Sequence, residues 1–187
     1  MKNNMKDHLE AVIHIQNIVN PEFLKRMKSF IDKKAKKDLR VGYNLINKDI
    51  RNVKGYHLNF DTPTNIFYWN YIKHEIERLL VYYTIKFPLL KTRKIDQIDL
   101  LKYGPGGKYT VHVDDQTHTP RSLSIIININ DDYVGGELIF TDQKHNEIES
   151  FDLKKGSIVF FPSNFMYPHA IKPIKKGIRY SIVLWLR

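Results

Sequence analysis

The chain of 187 residues contains no cysteine. Disulfides, cysteine-rich zinc sites and thiol catalysis are therefore excluded, and a metal would have to be held by His, Asp or Glu. The lack of cysteine also fits a reducing cytosol. Acidic residues are scarce, 20 Asp and Glu against 30 Lys and Arg, which leaves a formal charge of +10. Such a balance can serve nucleic acid, acidic substrates or anionic surfaces. The recognition motifs of nucleic-acid modules are absent, however, and the densest basic cluster (Lys33, Lys34, Lys36, Lys37) reads as a solvated helix end. No apolar run is long enough to span a bilayer. The first fifteen residues have neither a long apolar core nor a small-residue cleavage site, so no secretory signal and no membrane partner are expected, and a cytoplasmic location is. Repeats, low-complexity stretches and linkers are missing too. The expectation is one domain over residues 1–187, with 1–93 as mostly helical support and 94–187 as a β core. An apolar content of 42% with 12% aromatics argues for a globular chain rather than a disordered one.

What is present falls into helices first and strands second. Residues 11–16 alternate, Val12, His14 and Gln16 against Ile13 and Ile15, which predicts a short strand. Asn20 can cap a helix that Pro21 opens. Phe23, Leu24, Met27, Phe30 and Ile31 then recur at helical spacing, with lysines on the other side. Weak strand signals follow at 41–46 and 56–60. A second helix is expected over 64–85, with Ile66, Trp69, Ile72, Ile76, Leu79, Leu80 and Tyr83 on one apolar face and Phe87-Pro88 as its stop. From Lys94 the pattern changes. Eight short β-branched and aromatic segments alternate with Gly, Asn and Asp turns, at 95–103, 108–113, 121–130, 137–141, 148–153, 157–162, 170–174 and 179–186. This order predicts an α+β, mainly β domain, a sandwich or barrel with the helices packed on one sheet.

The chemistry-bearing residues lie in the second half. His112 and Asp114 are two apart, and on a strand such residues share a face. Val113 would then point into the opposite layer. A third ligand must come from a distant strand, and His169, which opens a segment after Tyr167-Pro168, is the best candidate. His118 and His145 are alternatives in turn-like surroundings. Two imidazoles and a carboxylate can cover one face of an octahedral metal and leave three positions open, the arrangement associated with non-haem Fe(II) oxygenases. Arg179 lies ten residues beyond His169, past a turn expected at Lys175-Lys176-Gly177. Adjacent antiparallel strands would bring it into the same cavity. A buried guanidinium requires a carboxylate and can hold one bidentately, so a dicarboxylate could bridge the metal and Arg179.

With these residues in place, 101–187 resembles the prolyl 4-hydroxylase-type Fe(II)/2-oxoglutarate dioxygenases. The matching pieces are Tyr103-Gly104-Pro105-Gly106-Gly107-Lys108-Tyr109 before His112-X-Asp114, and Arg121-Ser122-Leu123-Ser124 opening a segment that ends Asn128-Ile129-Asn130. Gly135-Gly136-Glu137-Leu138-Ile139-Phe140 and Gly156-Ser157-Ile158-Val159-Phe160-Phe161-Pro162 follow, then His169, Gly177-Ile178-Arg179-Tyr180-Ser181 and Trp185. The pieces cover nearly half the chain, in order.

The resemblance implies a double-stranded β-helix, a jelly-roll barrel, buttressed by the N-terminal helices. It implies Fe(II) on His112, Asp114 and His169, and 2-oxoglutarate chelating the iron with its far carboxylate on Arg179. Tyr103 matches a tyrosine of the co-substrate pocket. Asn128 stands where some relatives place a tyrosine that touches the far carboxylate, and Arg179 where collagen-type enzymes use lysine. O2 is the second co-substrate, and ascorbate is a further candidate cofactor. The implied reaction hydroxylates an unactivated C–H bond with release of succinate and CO2. A prolyl residue of a peptide or protein is the first expectation for the substrate. Free amino acids, small metabolites and nucleic acid stay open as others, although the additional arginine of nucleic-acid demethylases is missing after Arg179. A non-catalytic jelly-roll binding module is the rival from another class. Gly135-Gly136 suits a tight turn with positive φ, and Gly104-Pro105-Gly106-Gly107 reads as a loop at the cavity mouth.

Overall fold

The computed structural model describes residues 7–41, 45–91, 94–115 and 120–187. A 3-10 turn at Asp7–Ala11 leads into β1 (Ile13–Ile15), α1 (Pro21–Lys34), β2 (Lys37–Asp38), β3 (Arg51–Asn52), β4 (Lys54–His57) and α2 (Pro63–Lys86). Ten strands follow: β5 (Ile95–Tyr103), β6 (Lys108–His112), β7 (Leu123–Asn128), β8 (Tyr133–Gly135), β9 (Leu138–Thr141), β10 (Glu147–Phe151), β11 (Ile158–Pro162), β12 (His169–Ile171), β13 (Ile174–Gly177) and β14 (Arg179–Leu186).

Both helices start as their sequences dictate. The Asn20 side chain accepts from the Glu22 amide at 2.8 Å with Pro21 in the first position, and Lys33 and Lys34 complement the dipole at the far end. Thr62 accepts from the Asn65 amide at 3.2 Å to open α2, which ends at Lys86 with Phe87 as its cap, before Pro88. Glu75 of α2 accepts from the Asn20 amide at 3.2 Å and from Arg78, which ties the start of α1 to the middle of α2. One expected core position differs. Ile66 is exposed, and Asn65 is buried instead. The first turn of α2 meets a polar cluster, where the Asn65 amide contacts Tyr56 Oη of β4 and Asn59 Oδ1 and Asp61 Oδ1 of the loop after it.

The strands form a major sheet in the order β1-β11-β7-β14-β5-β4-β2 and a minor sheet in the order β10-β9-β12-β6-β3, with β8 and β13 as a separate ribbon. Every paired ladder among the described residues is antiparallel. The two sheets enclose a jelly roll, and the helices cover the outer face of the major sheet. Period-2 alternation divides the core. Leu123, Ile125 and Ile127 of β7 and Tyr180, Ile182, Leu184 and Leu186 of β14 pack toward α1 and α2, in one cluster with Phe23, Met27, Ile31, Ile72, Ile76 and Leu79. Ile126 of β7 and Val183 of β14 belong to a second cluster, between the sheets, with Leu101, Phe140 and Phe161. Strands buried on both faces read as near-continuous apolar runs. That explains why the polar interruptions on the inner face, Ser124, Asn128 and Arg179, mark a site.

The expected α+β, mainly β jelly roll is observed, with local corrections. The described residues of 94–187 hold ten strands instead of eight. The missed pair is the ribbon β8–β13, whose exposed Lys175 and Lys176 carry no burial pattern, so 175–177 is strand and not turn. The expected strand at 56–60 is β4, earlier by two residues, and Phe60 is exposed. At 41–46 the described residues show a Val41–Leu45 bridge, and 42–44 lie outside them. Gly135 and Gly136 do have positive φ, 80° and 74°. The 104–107 segment is a pinned turn: Gly106 donates to Ile174 O at 2.8 Å and Ile174 donates to Gly107 O at 2.9 Å.

Candidate metal centre and its pocket

His112 closes β6 and His169 opens β12. These strands are neighbours in the minor sheet, with the two histidines directly opposed and their ring centroids 4.3 Å apart. Asp114 lies just beyond the end of β6, where the Asp115 amide donates to Ser163 O at 2.9 Å. The shared direction of His112 and Asp114 is thus set by this turn and not by a continuous strand. Val113 points to solvent, not into the opposite layer. One Asp114 oxygen lies 3.6 Å from His112 Nε2 and the other 3.5 Å from His169 Nε2. All three ligand atoms fall within 4.8 Å of one another. His145 is exposed in the β9–β10 connection, apart from this cluster, and His118 lies outside the described residues.

The surroundings prepare the donors. His112 Nδ1 faces Thr110 O at 2.8 Å and His169 Nδ1 faces Tyr167 O at 3.0 Å. Donation to these carbonyls places the proton on Nδ1 and leaves each Nε2 lone pair for a metal. Ser124 Oγ of the major sheet donates to Asp114 Oδ2 at 2.7 Å and lies 2.8 Å from Ser163 Oγ. Burial opposes the Asp114 charge, but His169 and His112 outweigh it and hold the carboxyl well below its usual range. Burial, and then His112, push His169 down to about 4. An ionised carboxylate and a neutral imidazole are the forms in which these groups ligate a cation. An imidazole, imidazole, carboxylate set suits a first-row divalent metal.

The three donors open onto a pocket of about 390 Å³ of empty space, its mouth included, with Leu101, Ile126, Ile171 and Val183 among its walls. Arg179 reaches this pocket from the opposite sheet. β14 pairs with β5 and β7, not with β12, so the expected adjacency to His169 is replaced by an approach across the cavity. Arg179 is 1% exposed. Its Nε donates to Asn128 Oδ1 at 3.1 Å, and its Nη2 has no partner among the described residues. Among the described residues no carboxylate lies within ion-pair distance of it. Tyr103, opposed to it in the ladder, places its ring 5.4 Å from the guanidinium, and burial pushes its phenol up. Gly136 makes room for the arginine: a Cβ there would stand 3.3 Å from Arg179 Cδ and 2.3 Å from Ile174 Cδ1.

Asn128 is placed behind Arg179, outside the pocket wall. Its Nδ2 donates to the carbonyls of Asn130 and Leu153, both at 2.7 Å, and its Oδ1 also accepts from Tyr133 Oη at 3.3 Å. Sequence reasoning missed Arg51 and gave Tyr109 no role. The Tyr109 ring stacks on His112 at 3.6 Å, and the Arg51 guanidinium lies 4.7 Å from the Tyr109 centroid. Arg51 sits on a two-residue strand, too short for periodicity to reveal. Trp185 completes the wall, with Arg121 stacked 3.9 Å from its ring.

The jelly roll thus holds two imidazoles and a carboxylate that could bind a metal, facing an arginine without a counter-ion among the described residues. The comparisons agree. Residues 98–187, slightly under half of the chain, match the model of the 2OG-Fe(II) oxygenase superfamily. Among curated proteins, human prolyl 3-hydroxylase 2 is 36% identical over 69 residues, which cover 36% of this chain and 10% of that protein. A PKHD-type hydroxylase of Synechococcus is 27% identical over 120 residues, 60% of this chain and 50% of that one. The matches thus span a tenth and a half of these relatives' own lengths. Among solved structures, a Trichoplax adhaerens prolyl hydroxylase in complex with a hypoxia inducible factor peptide superposes with a TM-score of 0.77 at 18% identity, over 97% of this chain and 86% of that one, a likeness of fold.

Proposed function

We propose that the chain is an Fe(II)- and 2-oxoglutarate-dependent dioxygenase that hydroxylates an unactivated C–H bond of a prolyl residue in a peptide or protein, with release of succinate and CO2. The observation that carries this reading is Arg179, a buried guanidinium without a counter-ion among the described residues, in the same pocket as the His112, Asp114 and His169 donors. An unpaired buried charge is unfavourable by several kcal/mol or more. A dicarboxylate that ligates a metal at one end and meets Arg179 at the other satisfies both.

In this reading His112 Nε2, the Asp114 carboxylate and His169 Nε2 hold the iron. When bound, the iron with 2-oxoglutarate and O2 supplies the oxidising power for the C–H bond. The protein's own part is electrostatic and geometric. Ser124 keeps one Asp114 oxygen oriented. Asn128 fixes Arg179 through Nε, which sets the plane of the fork and leaves the Nη groups for the far carboxylate. The Tyr103 hydroxyl, neutral and without a hydrogen bond among the described residues, is available as a second donor to it. The aliphatic walls exclude water from the reacting groups. The hydroxylase names of the relatives and the peptide in the structural neighbour support a peptidyl substrate, and the net charge of +10 favours an acidic one.

The test is anaerobic titration with Fe(II) and then 2-oxoglutarate, followed by iron-dependent succinate release with and without ascorbate, and a peptide screen for a mass gain of one oxygen. Binding of both, with turnover, is expected. A protein that takes up neither would end the oxygenase reading.

A further inference from the structure

Arg51 lines the pocket beside Tyr109 and His112, from the edge strand of the minor sheet. Its side chain is 12% exposed and its surroundings differ from those of Arg179. Nη2 lies 3.6 Å from the carboxylate of Asp99, which is itself buried in the major sheet. The formal charge is therefore already answered. The hydrogen-bonding capacity is not: of its five N–H groups, one donates within the described residues, Nη1 to Arg40 O at 3.2 Å, and Nε is buried without an acceptor. A cation with its charge balanced and its donors free does not call for an anion. It calls for a neutral acceptor, and a carbonyl oxygen is the acceptor that a guanidinium binds well without a net charge change.

We propose that Arg51 is a specificity-determining residue that donates to a backbone carbonyl of the substrate, and that the Arg51–Asp99 pair selects an amide-linked substrate over a free carboxylate. This rests on the oxygenase reading above. Asp99 is held for the task by three groups: Arg51, His57 Nδ1 at 2.6 Å and Gln97 Nε2 at 2.7 Å. Tyr109, directly opposed to Arg51 in the β3–β6 ladder, supports the guanidinium from its ring and fixes its distance from His112. A free amino acid or a small keto or hydroxy acid would bring a second carboxylate toward Asp99 and be disfavoured. A residue within a peptide brings only dipoles.

The experiment uses the full chain, loaded anaerobically with Fe(II) and 2-oxoglutarate. Two probes are titrated: a prolyl tripeptide capped at both ends, and the same sequence ending in a free carboxylate on proline. The wild type is expected to prefer the capped peptide. Arg51→Gln should weaken capped-peptide binding about tenfold, while the dissociation constants of Fe(II) and 2-oxoglutarate stay within about twofold. Asp99→Asn should shift the preference toward the carboxylate, because Arg51 then lacks its counter-ion. Unchanged peptide affinity in Arg51→Gln overturns the proposal. Parallel loss of 2-oxoglutarate affinity in that variant does so as well, since it would make Arg51 a structural residue. A wild type that binds 2-oxoglutarate but prefers the free carboxylate, or takes neither probe, overturns the amide selection and leaves the oxygenase reading standing. A wild type that binds no 2-oxoglutarate removes both.

Discussion

Arg51 and Arg179 stand in the wall of one pocket, each opposed across a ladder to a tyrosine, Tyr109 for the first and Tyr103 for the second. Their partners differ. Arg51 has a carboxylate at 3.6 Å and few hydrogen bonds, whereas Arg179 has a fixed hydrogen bond to Asn128 and, among the described residues, no carboxylate. One is charge-balanced with donors to spare; the other is oriented and electrically unsatisfied. The difference teaches that a buried cation has to be read by what it lacks. A missing anion points to an anionic ligand, and missing acceptors beside a present anion point to a neutral one.

The sharpest way to break this comparison is to remove the proposed centre that both arginines face across the pocket. His169→Ala should show no iron-dependent succinate release above background, with loss of tight Fe(II) binding by titration. Asp114→Ala should behave alike, and Asp115→Ala should bind iron nearly as the wild type. Activity in His169→Ala, or loss in Asp115→Ala alone, would mean that the donors have been misassigned. The next effect separates function from stability. Arg179→Met should raise the 2-oxoglutarate dissociation constant about a hundredfold with iron binding retained. The ligand-free variant should melt about 2–4 °C higher, since an unpaired buried charge has been replaced by an apolar chain. A ligand-free variant that melts lower, measured by calorimetry, would show that Arg179 is already paired in the resting protein.

How much of this was legible in the sequence follows from the period of each element. Helices α1 and α2 and the long strands β5 and β14 repeat their apolar residues over enough positions to be placed within a residue or two. His112 and Asp114 were singled out by their spacing of two, His169 as the third ligand from a distant strand and Arg179 by its place ten residues further on, and the structure brings them to one cavity. The route was not legible. Sequence order suggested that β14 lies beside β12, but β12 belongs to the minor sheet and β14 to the major one, so Arg179 arrives from across the cavity. Arg51 and β3 were invisible because two residues carry no period. The role of Asn128 turned on where its amide points: its hydrogen bonds to Arg179, Asn130 and Leu153 place it behind the arginine, a matter of tertiary contacts alone.

That placement makes Asn128 the next probe of the comparison. Asn128→Ala removes a fully buried amide that holds Arg179 Nε and two carbonyls. It should destabilise the protein by about 1–3 kcal/mol and raise the 2-oxoglutarate requirement less than Arg179→Met does. If the co-substrate affinity falls as far as in Arg179→Met at unchanged stability, Asn128 touches the ligand itself.

The smallest effect tests the other end, through the residue that shares Asp99 with Arg51. The hydrogen bond to Asp99 raises the His57 pKa above its ordinary value, against a desolvation that lowers it. A raised folded-state pKa means that His57 contributes its stabilisation fully below the unfolded value of about 6.5 and loses it as pH climbs through the folded value. The wild type should therefore melt above His57→Asn at pH 6 and lose that margin toward pH 9, by about 1–2 °C, because the His57 side chain is largely exposed to solvent that screens the pair. Over the same range Asp99 passes from two cationic neighbours to Arg51 alone. The preference for the capped peptide over the free carboxylate should accordingly strengthen slightly with pH in the wild type and stay flat in His57→Asn. A melting margin that is constant from pH 6 to 9 would separate His57 from Asp99 and leave Arg51 as the carboxylate's only ionic partner throughout.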